Sequence, residues 1–308
     1  MSSGAKSFSI RLPATSANLG SGFDAVAVAL NFFLAIEAEP AKEFSIVATG
    51  QDGNLCSRIK HNLILESYSR ILAENGKRAT PLAIRMHNDI PLGMGCGSSA
   101  AGRLAAIAMA VYFGELDWSA DRILEEACAL EGHPDNAAAC WLGGFVAAAN
   151  EGRAVRVARV NPPPKWRAIV VLPSESLATS KARAVLPATY ASADVVANIQ
   201  AVSMLGLAFA QCRGDLLRVA MQDRIHQPYR AEMCPLLPSL LPLSGCDGIL
   251  GVGLSGAGPA VLVIVESDAE VADASKAILG AMQSLTAPRL LPCCFEQNGA
   301  NGSVQSIE

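Results

Sequence analysis

Charge is scarce in this 308-residue sequence: 17% of residues are charged, the net charge is −4, and no run of like charges occurs. Without a basic stripe or tail there is no electrostatic case for a nucleic acid or an anionic membrane as partner. Metal-ligand spacing is missing as well, because the nine cysteines are scattered and form no Cys-x-x-Cys or Cys/His pattern. An odd, scattered set reads as small buried hydrophobes of a reducing compartment, with Cys128, Cys140 and Cys212 embedded in apolar patterns. Residues 1–12 carry no apolar core of a secretory signal. The longest apolar helix expected, near residues 104–113, is too short to cross a bilayer. Neither a Gly-x-Ser-x-Gly elbow nor a His-Glu-x-x-His helix is present. These absences predict a cytoplasmic protein. Its 51% hydrophobic content is enough for a substantial core, and its length suits one large domain or two ordinary ones.

What is present centres on residues 91–103. Pro91, Gly93, Gly95, Cys96, Gly97, Ser98 and Ser99 make an alternating-glycine loop that runs into an Ala-rich helix. Glycines strip side chains from a loop so that backbone N–H groups can close on a ligand. A helix N-terminus adds unpaired N–H groups and positive partial charge. Together they describe an anion cradle, best suited to phosphates. The Walker pattern needs a Lys before the Ser, where this chain has Gly97, so the cradle is of another kind. A tight loop closed by a serine helix cap is the plainer alternative.

Around this loop the pattern predicts a strand at 8–12, a small-residue loop at 13–24 closed by Asp24, and two strand-like runs within 25–49. A helix at 61–75 stopped by Gly76, a strand at 82–87 and a helix at 98–113 follow. A second helix starts at Asp117 or Ser119 and ends at Glu131. A hairpin turns at 151–153. The Pro-rich stretch 161–165 is the best linker and sets domains at 1–165 and 166–308. Beyond it come a strand at 168–172, a long helix at 193–212, short helices near 215–221 and 227–232, and strands at 249–254 and 261–265. An amphipathic helix at 268–282 and a strand at 289–296 complete the order, an α+β arrangement. The polar tail from Gln297 is expected to fray.

Two further clusters are ambiguous on spacing alone. Residues 251–256 match Gly-x-Gly-x-x-Gly, but a strand follows where a dinucleotide site needs a helix, so that reading is rejected. His133, Asp135 and Asn136 offer an acid–base pair or, equally, a turn that recaps the next helix; with one His a metal trio is not expected. Arg183 and Arg230 stand beside polar loops, where either guanidinium can grip a carboxylate through two parallel bonds.

With these loops in order, the chain resembles the superfamily of galacto-, homoserine, mevalonate and phosphomevalonate (GHMP) kinases. Three motifs carry the resemblance, at 13–24, 91–101 and 253–259. Within the superfamily it is most similar to the homoserine kinases, through Pro13-Ala14-Thr15-Ser16-Ala17-Asn18, Glu131-Gly132-His133-Pro134-Asp135-Asn136, the run Ala182 to Pro187, and Pro228-Tyr229-Arg230. Cys96 departs from the Leu common in the family, a modest change in an apolar slot.

The resemblance implies a two-lobed α+β fold, with an N-terminal lobe like the second domain of ribosomal protein S5 and a ferredoxin-like C-terminal lobe. It implies ATP and Mg²⁺ as cofactors and phosphorylation of the L-homoserine hydroxyl, for threonine synthesis. Pro91, Gly93, Gly95, Cys96, Gly97, Ser98 and Ser99 would wrap the triphosphate, with Asn62 at the nucleotide. Ser99 and Glu131 would hold the metal, with Glu125 as fallback. Asn18, Asp24, His133, Asn136, Thr179 and Gly256 would line the amino-acid site, and Arg183 with Arg230 would clamp its carboxylate. Asp24 and Asp135 are candidate bases, while substrate-assisted transfer resting on the loop, the metal and Asn136 is preferred. L-Threonine or another small amino alcohol as acceptor, and a non-catalytic metabolite sensor, are the alternatives. Oligomeric state is open, a homodimer among the options.

Overall fold

Two sheets organise the chain, and the computed structural model describes residues 7–282, 287–303 and 305–307. Strands β1 (Ser7–Asn18), β2 (Gly22–Pro40), β3 (Ser45–Gly50), β4 (Leu82–Asn88), β5 (Phe145–Glu151) and β6 (Ala154–Val160) belong to the first. Strands β7 (Arg167–Leu172), β8 (Ile249–Leu254), β9 (Val261–Val265) and β10 (Arg289–Cys294) form the second, in the order β10-β7-β9-β8. A last strand, β11 (Gln305–Ile307), returns to the first sheet on the outer edge of β1.

The 19-residue β2 is the spine of the first sheet. Its far half, from Leu34 to Pro40, pairs with β4, and its near half, Val26 to Val28, pairs with β5. Helices α1 (Gly53–Cys56), α2 (Leu63–Glu74), α3 (Ser98–Gly114), α4 (Ala120–Glu131) and α5 (Asp135–Leu142) accompany this sheet. Of these α3 is central, touching α2, α4, α5, β1 and β2. Its face is almost all alanine with Leu104, Ile107 and Met109, every one buried, so small side chains let five neighbours approach it closely. Helices α6 (Thr179–Ala184), α7 (Ser192–Ala210), α8 (Leu217–Ala220), α9 (Gln227–Arg230), α10 (Leu236–Leu240) and α11 (Val271–Ala281) follow in the second half of the chain, and α8, α10 and α11 pack on the second sheet.

The two central strands of the second sheet, β7 and β9, read as apolar runs because both faces are covered, whereas the edge strand β10 has no buried residue. Ala168, Val170, Leu172, Leu262 and Ile264 join the large core under the first sheet. Ile169, Val171, Val261, Val263 and Val265 face a second core closed by α10 and α11. One face of the second sheet is thus built into the core of the first, which fixes the cleft between them.

Four expectations are corrected. Residues 13–24 are not an open loop: β1 continues through a bulge after Pro13 to Asn18, and the turn is confined to residues 19–21. Ala14 and Ala17 are fully buried, so small residues here serve close packing. Among its described residues the tail from Gln297 is tied down rather than frayed. Ala300 is buried, the Ser303 hydroxyl accepts from Arg11 N and donates to Arg11 O, and β11 covers the β1 edge, satisfying backbone groups that would otherwise be unpaired. The longest apolar helix is α7, with 19 residues and mean hydropathy 1.5, which is long and apolar enough to cross a membrane by length and composition. Leu205, Ala208 and Phe209 anchor it in the core, where Phe209 stacks on Phe145 at 4.2 Å. Cys212, finally, is exposed beyond the end of α7, as is Cys246, while Cys96, Cys128, Cys140 and Cys234 are buried.

Candidate active site

The three glycine- and hydroxyl-rich stretches interlock. Thr15 N donates to Cys96 O at 3.1 Å and Gly256 N to Ala17 O at 3.0 Å. The Ser255 hydroxyl donates to Gly95 O at 2.7 Å, and Asn18 Nδ2 to Gly256 O at 2.7 Å. Two loop glycines are forced by this contact. A Cβ at Gly95 would lie 2.1 Å from Ser255 O, one at Gly97 1.9 Å from Thr15 Oγ1, and both residues have positive φ. The loop therefore enters α3 at a fixed angle, with Ser98 and Ser99 in its first turn. The loop and the first turn of this 17-residue helix, the end where positive partial charge collects, line a cleft of about 420 Å³.

That cleft gathers Asn18, Asp24, Gly93, Gly95, Gly97, Ser98, Ser99, Glu131, His133, Asp135, Asn136, Thr179, Arg183, Arg230 and Gly256 from both sheets. Pro91 and Cys96 are buried behind the loop, where they hold it up without facing the cleft; burial pushes the Cys96 thiol up to about 12. Asn62 lies elsewhere. It caps α2, accepting from Ile64 N and Leu65 N and donating to Cys56 O and Arg58 O. It borders a second, more apolar cavity of about 480 Å³ with Leu63, Met86 and Ile90, and Ser98 and Ser99 line both cavities.

At the loop end, the Ser99 hydroxyl donates to Glu131 Oε1 at 2.7 Å. Arg103 Nε lies 2.7 Å from the same oxygen, an ion pair without hydrogen-bond alignment, and Arg103 also donates to Leu130 O. A hydroxyl and a carboxylate beside a phosphate cradle are the hard oxygen donors that Mg²⁺ takes. Glu125 instead borders a separate depression with Arg122 and Glu126.

On the opposite wall a chain of hydrogen bonds starts at His133. Its Nδ1 lies 2.6 Å from Asp135 Oδ1, which also accepts from Asn136 N at 2.6 Å and Nδ2 at 3.3 Å. Thr15 Oγ1 donates to Asn136 Oδ1 at 2.6 Å. Asp135 is the first residue of α5 and lines the cleft at once, while the N-cap position falls on Pro134, which supplies no side-chain cap. Burial pulls the His133 pKa down, but the bond to Asp135 and the charges of Asp135 and Asp24 outweigh it and raise the pKa. Ligand atoms of Asp24, His133 and Asp135 lie within 4.8 Å of one another, yet each carboxylate already binds donors of the protein.

Asp24 accepts two parallel bonds from Arg183, at 2.9 and 2.7 Å. Asn18 Oδ1 accepts from Asp24 N at 3.0 Å, so Asn18 ties the first motif to the third. Arg230 is 1% exposed and donates to Ala182 O and to His226 Nδ1, both at 3.0 Å. Sequence reasoning missed Thr15, Arg103 and His226 as partners of site residues. The spacing of His226 and Arg230, four apart at a short helix, was the one available signal.

The GHMP kinases N terminal domain family matches residues 62–144, and the GHMP kinases C terminal family matches residues 208–283. Over 260 residues the chain is 41% identical to the homoserine kinase of Solibacter usitatus, covering 84% of this chain and 85% of that one. It is 38% identical to the homoserine kinase of Moorella thermoacetica over 255 residues, or 82% and 86% of the two chains. Among solved structures, homoserine kinase from Cytophaga hutchinsonii superposes with a TM-score of 0.81 at 24% identity, covering 100% and 99% of the chains. The phosphomevalonate kinase of Streptococcus pneumoniae shares the fold at 11% identity and a TM-score of 0.64, covering 92% and 99%.

Proposed function

This chain belongs to the GHMP kinases and, among them, to the homoserine kinases, and we propose that it phosphorylates the side-chain hydroxyl of L-homoserine with ATP. The product, O-phospho-L-homoserine, feeds threonine synthesis. The observation that carries this reading is the convergence, in one cleft, of the N-terminus of α3 with the buried Arg230 guanidinium, beside the Asp24–Arg183 pair. A phosphate donor suits the first and a carboxylate-bearing acceptor suits the second.

In this proposal residues 1–165 hold the nucleotide and residues 166–308 bring the arginines. The loop from Gly93 to Ser99 binds the triphosphate through backbone N–H groups, and the apolar cavity beside Asn62 takes the nucleoside. Ser99 and Glu131 hold Mg²⁺, which supplies charge neutralisation of the transferring phosphoryl group. Asp24 accepts from the substrate ammonium, and Arg230 binds its carboxylate. Asn136, fixed by Thr15 and Asp135, orients the hydroxyl next to the phosphate. We assign no side chain as base: Asp24 is taken up by Arg183 and, in this reading, by the substrate ammonium, and Asp135 Oδ1 binds His133 and Asn136. Proton transfer to the phosphoryl oxygens fits that arrangement, with catalysis resting on positioning and charge stabilisation.

The test is an acceptor panel of L-homoserine, L-threonine, L-serine and mevalonate with ATP and Mg²⁺. Homoserine is expected to have the highest kcat/KM; turnover of another acceptor without homoserine turnover overturns the proposal. We place the enzyme in the cytoplasm; its oligomeric state stays open, with a homodimer among the options, and light scattering at micromolar concentration measures it.

A further inference from the structure

Arg230 is a buried guanidinium whose partners are almost all neutral. The Ala182 carbonyl accepts from Nε, and His226 Nδ1 lies 3.0 Å from Nη1. Among the described residues no carboxylate is in ion-pair contact with it; Asp24 and Asp223 act on it only through space, against the repulsion of Arg183. A buried cation without a paired anion is costly, and Arg230 lines the cleft with only Nε and Nη1 engaged by Ala182 and His226, so its other amino group suits a negatively charged ligand. What keeps that group aimed is the question.

The chemistry of the contact with His226 answers it. A guanidinium only donates, so Nδ1 must carry a lone pair. The imidazole proton therefore sits on Nε2, which donates to Gly20 O at 2.8 Å. His226 is 0% exposed and neutral, in agreement with a pKa lowered by burial and by Arg230 against the pull of Asp223. Phe23 and Asp223 also hold the imidazole. Phe23 stacks on it at 5.1 Å and 23°. Asp223 Oδ2 lies 3.6 Å from Nε2 and accepts from the backbone N–H of His226 and of Gln227. The same Phe23 ring lies 5.3 Å from the Arg230 guanidinium carbon, giving it an aromatic face to rest on.

We propose that His226 is the positioning residue for carboxylate selection: its neutral Nδ1 holds Arg230 with one fork open toward the acceptor. Arg183 does not share this role before substrate arrives, because Asp24 already occupies its fork. The proposal rests on an amino acid being the acceptor. It adds that discrimination between an acceptor with a carboxylate and one without passes through an imidazole that touches no substrate.

The experiment compares L-homoserine with 3-aminopropan-1-ol, which keeps the hydroxyl and the ammonium but lacks the carboxylate. The variants are His226→Gln, which keeps a donor near Gly20 O and loses the Nδ1 acceptor, and His226→Asn, which keeps an acceptor at Nδ1. His226→Gln is expected to lower the preference for homoserine over the carboxylate-free alcohol by roughly 10–100-fold, the range for a lost hydrogen bond to a charged group. The loss should enter through the homoserine KM, with the ATP KM unmoved, and His226→Asn should restore most of it. An unchanged preference, or a His226→Asn variant as poor as His226→Gln, overturns the proposal. ¹⁵N shifts of the His226 imidazole in the wild-type protein decide the geometry even if a variant does not fold or homoserine is not the acceptor. A neutral ring protonated on Nε2 is expected; an imidazolium, or a ring protonated on Nδ1, overturns it.

Discussion

Ser99 and Glu131 come from the first turn of α3 and the last residue of α4, and their side-chain oxygens meet at 2.7 Å. In the proposed reaction that pair holds Mg²⁺ and Arg103 balances the carboxylate from behind. Ser99→Ala removes one donor and leaves the ion pair; Glu131→Gln keeps the shape and removes the charge. Each is expected to lower kcat by about 10² or more, as the loss of transition-state charge stabilisation does, and to raise the Mg²⁺ concentration for half-maximal rate. Steady-state rates across a magnesium series check this, and near-normal rates in both variants would remove the metal assignment. At this scale the sequence was informative where chemistry is written in one contiguous stretch. The loop, Glu131 and the arginines could be picked out by residue type. Two of their supports could not: Thr15 acts on Asn136, 121 positions away, and Arg103 on Glu131 and, 27 positions away, on Leu130 O, pairs that only the fold sets, while His226 left its spacing from Arg230 as a signal. The pairing of Asp24 with Arg183 across 159 positions was equally invisible.

Elements were legible wherever hydrophobic period and a capping side chain agreed. Helix α2 has both, with Asn62 Oδ1 accepting from Ile64 N and Leu65 N at its start, which also shows that Asn62 has a structural duty beside any contact with a nucleotide. The start of α4 had two candidate caps, and Ser119 is the one that accepts from Arg122 N, at 3.2 Å. Residues 13–18 failed the same reasoning for a physical reason. A strand of Pro, Ala, Thr, Ser and Asn has no apolar alternation, yet the first sheet buries all of it under α3 and α5. Strand propensity reflects fit to a packed surface more than backbone preference, and here the fit comes from helices more than 80 residues later. The same packing makes the segment useful: a rigid strand places Thr15 under Gly97 and Asn136, which a loose loop would not.

At the scale of the whole molecule a shared core and the C-terminal tail help join the two sheets. Gly144 N donates to Glu296 O at 2.8 Å, Glu296 N to Ala29 O at 2.9 Å, and Ala29 N to Gly144 O at 2.9 Å, a knot of β2, the start of β5 and the chain leaving β10. The tail then passes over the end of α5, the helix that carries Asp135 and Asn136. Its composition, polar with glycine and asparagine, resembles that of a frayed end because its partners lie some 290 residues back, a separation no local pattern records. Gly299 is the tight point. A Cβ there would meet Trp141 O at 2.1 Å and Leu142 C at 2.4 Å, both backbone atoms that cannot swing aside. Gly299→Val should therefore lift the tail from α5, expose Ala300 and release β11 from the edge of β1. A cost of about 1–3 kcal/mol is expected for an overpacked site of this kind, and with it a lowering of Tm by several degrees. Hydrogen exchange should show protection lost along Ser7 to Ser9, the residues paired with β11, together with the amides of α5. Unchanged Tm and unchanged protection at the β1 edge would mean that the tail rests on the molecule without holding it. A lower Tm with α5 still protected would confine its role to the sheet edge and leave the cleft indifferent to it.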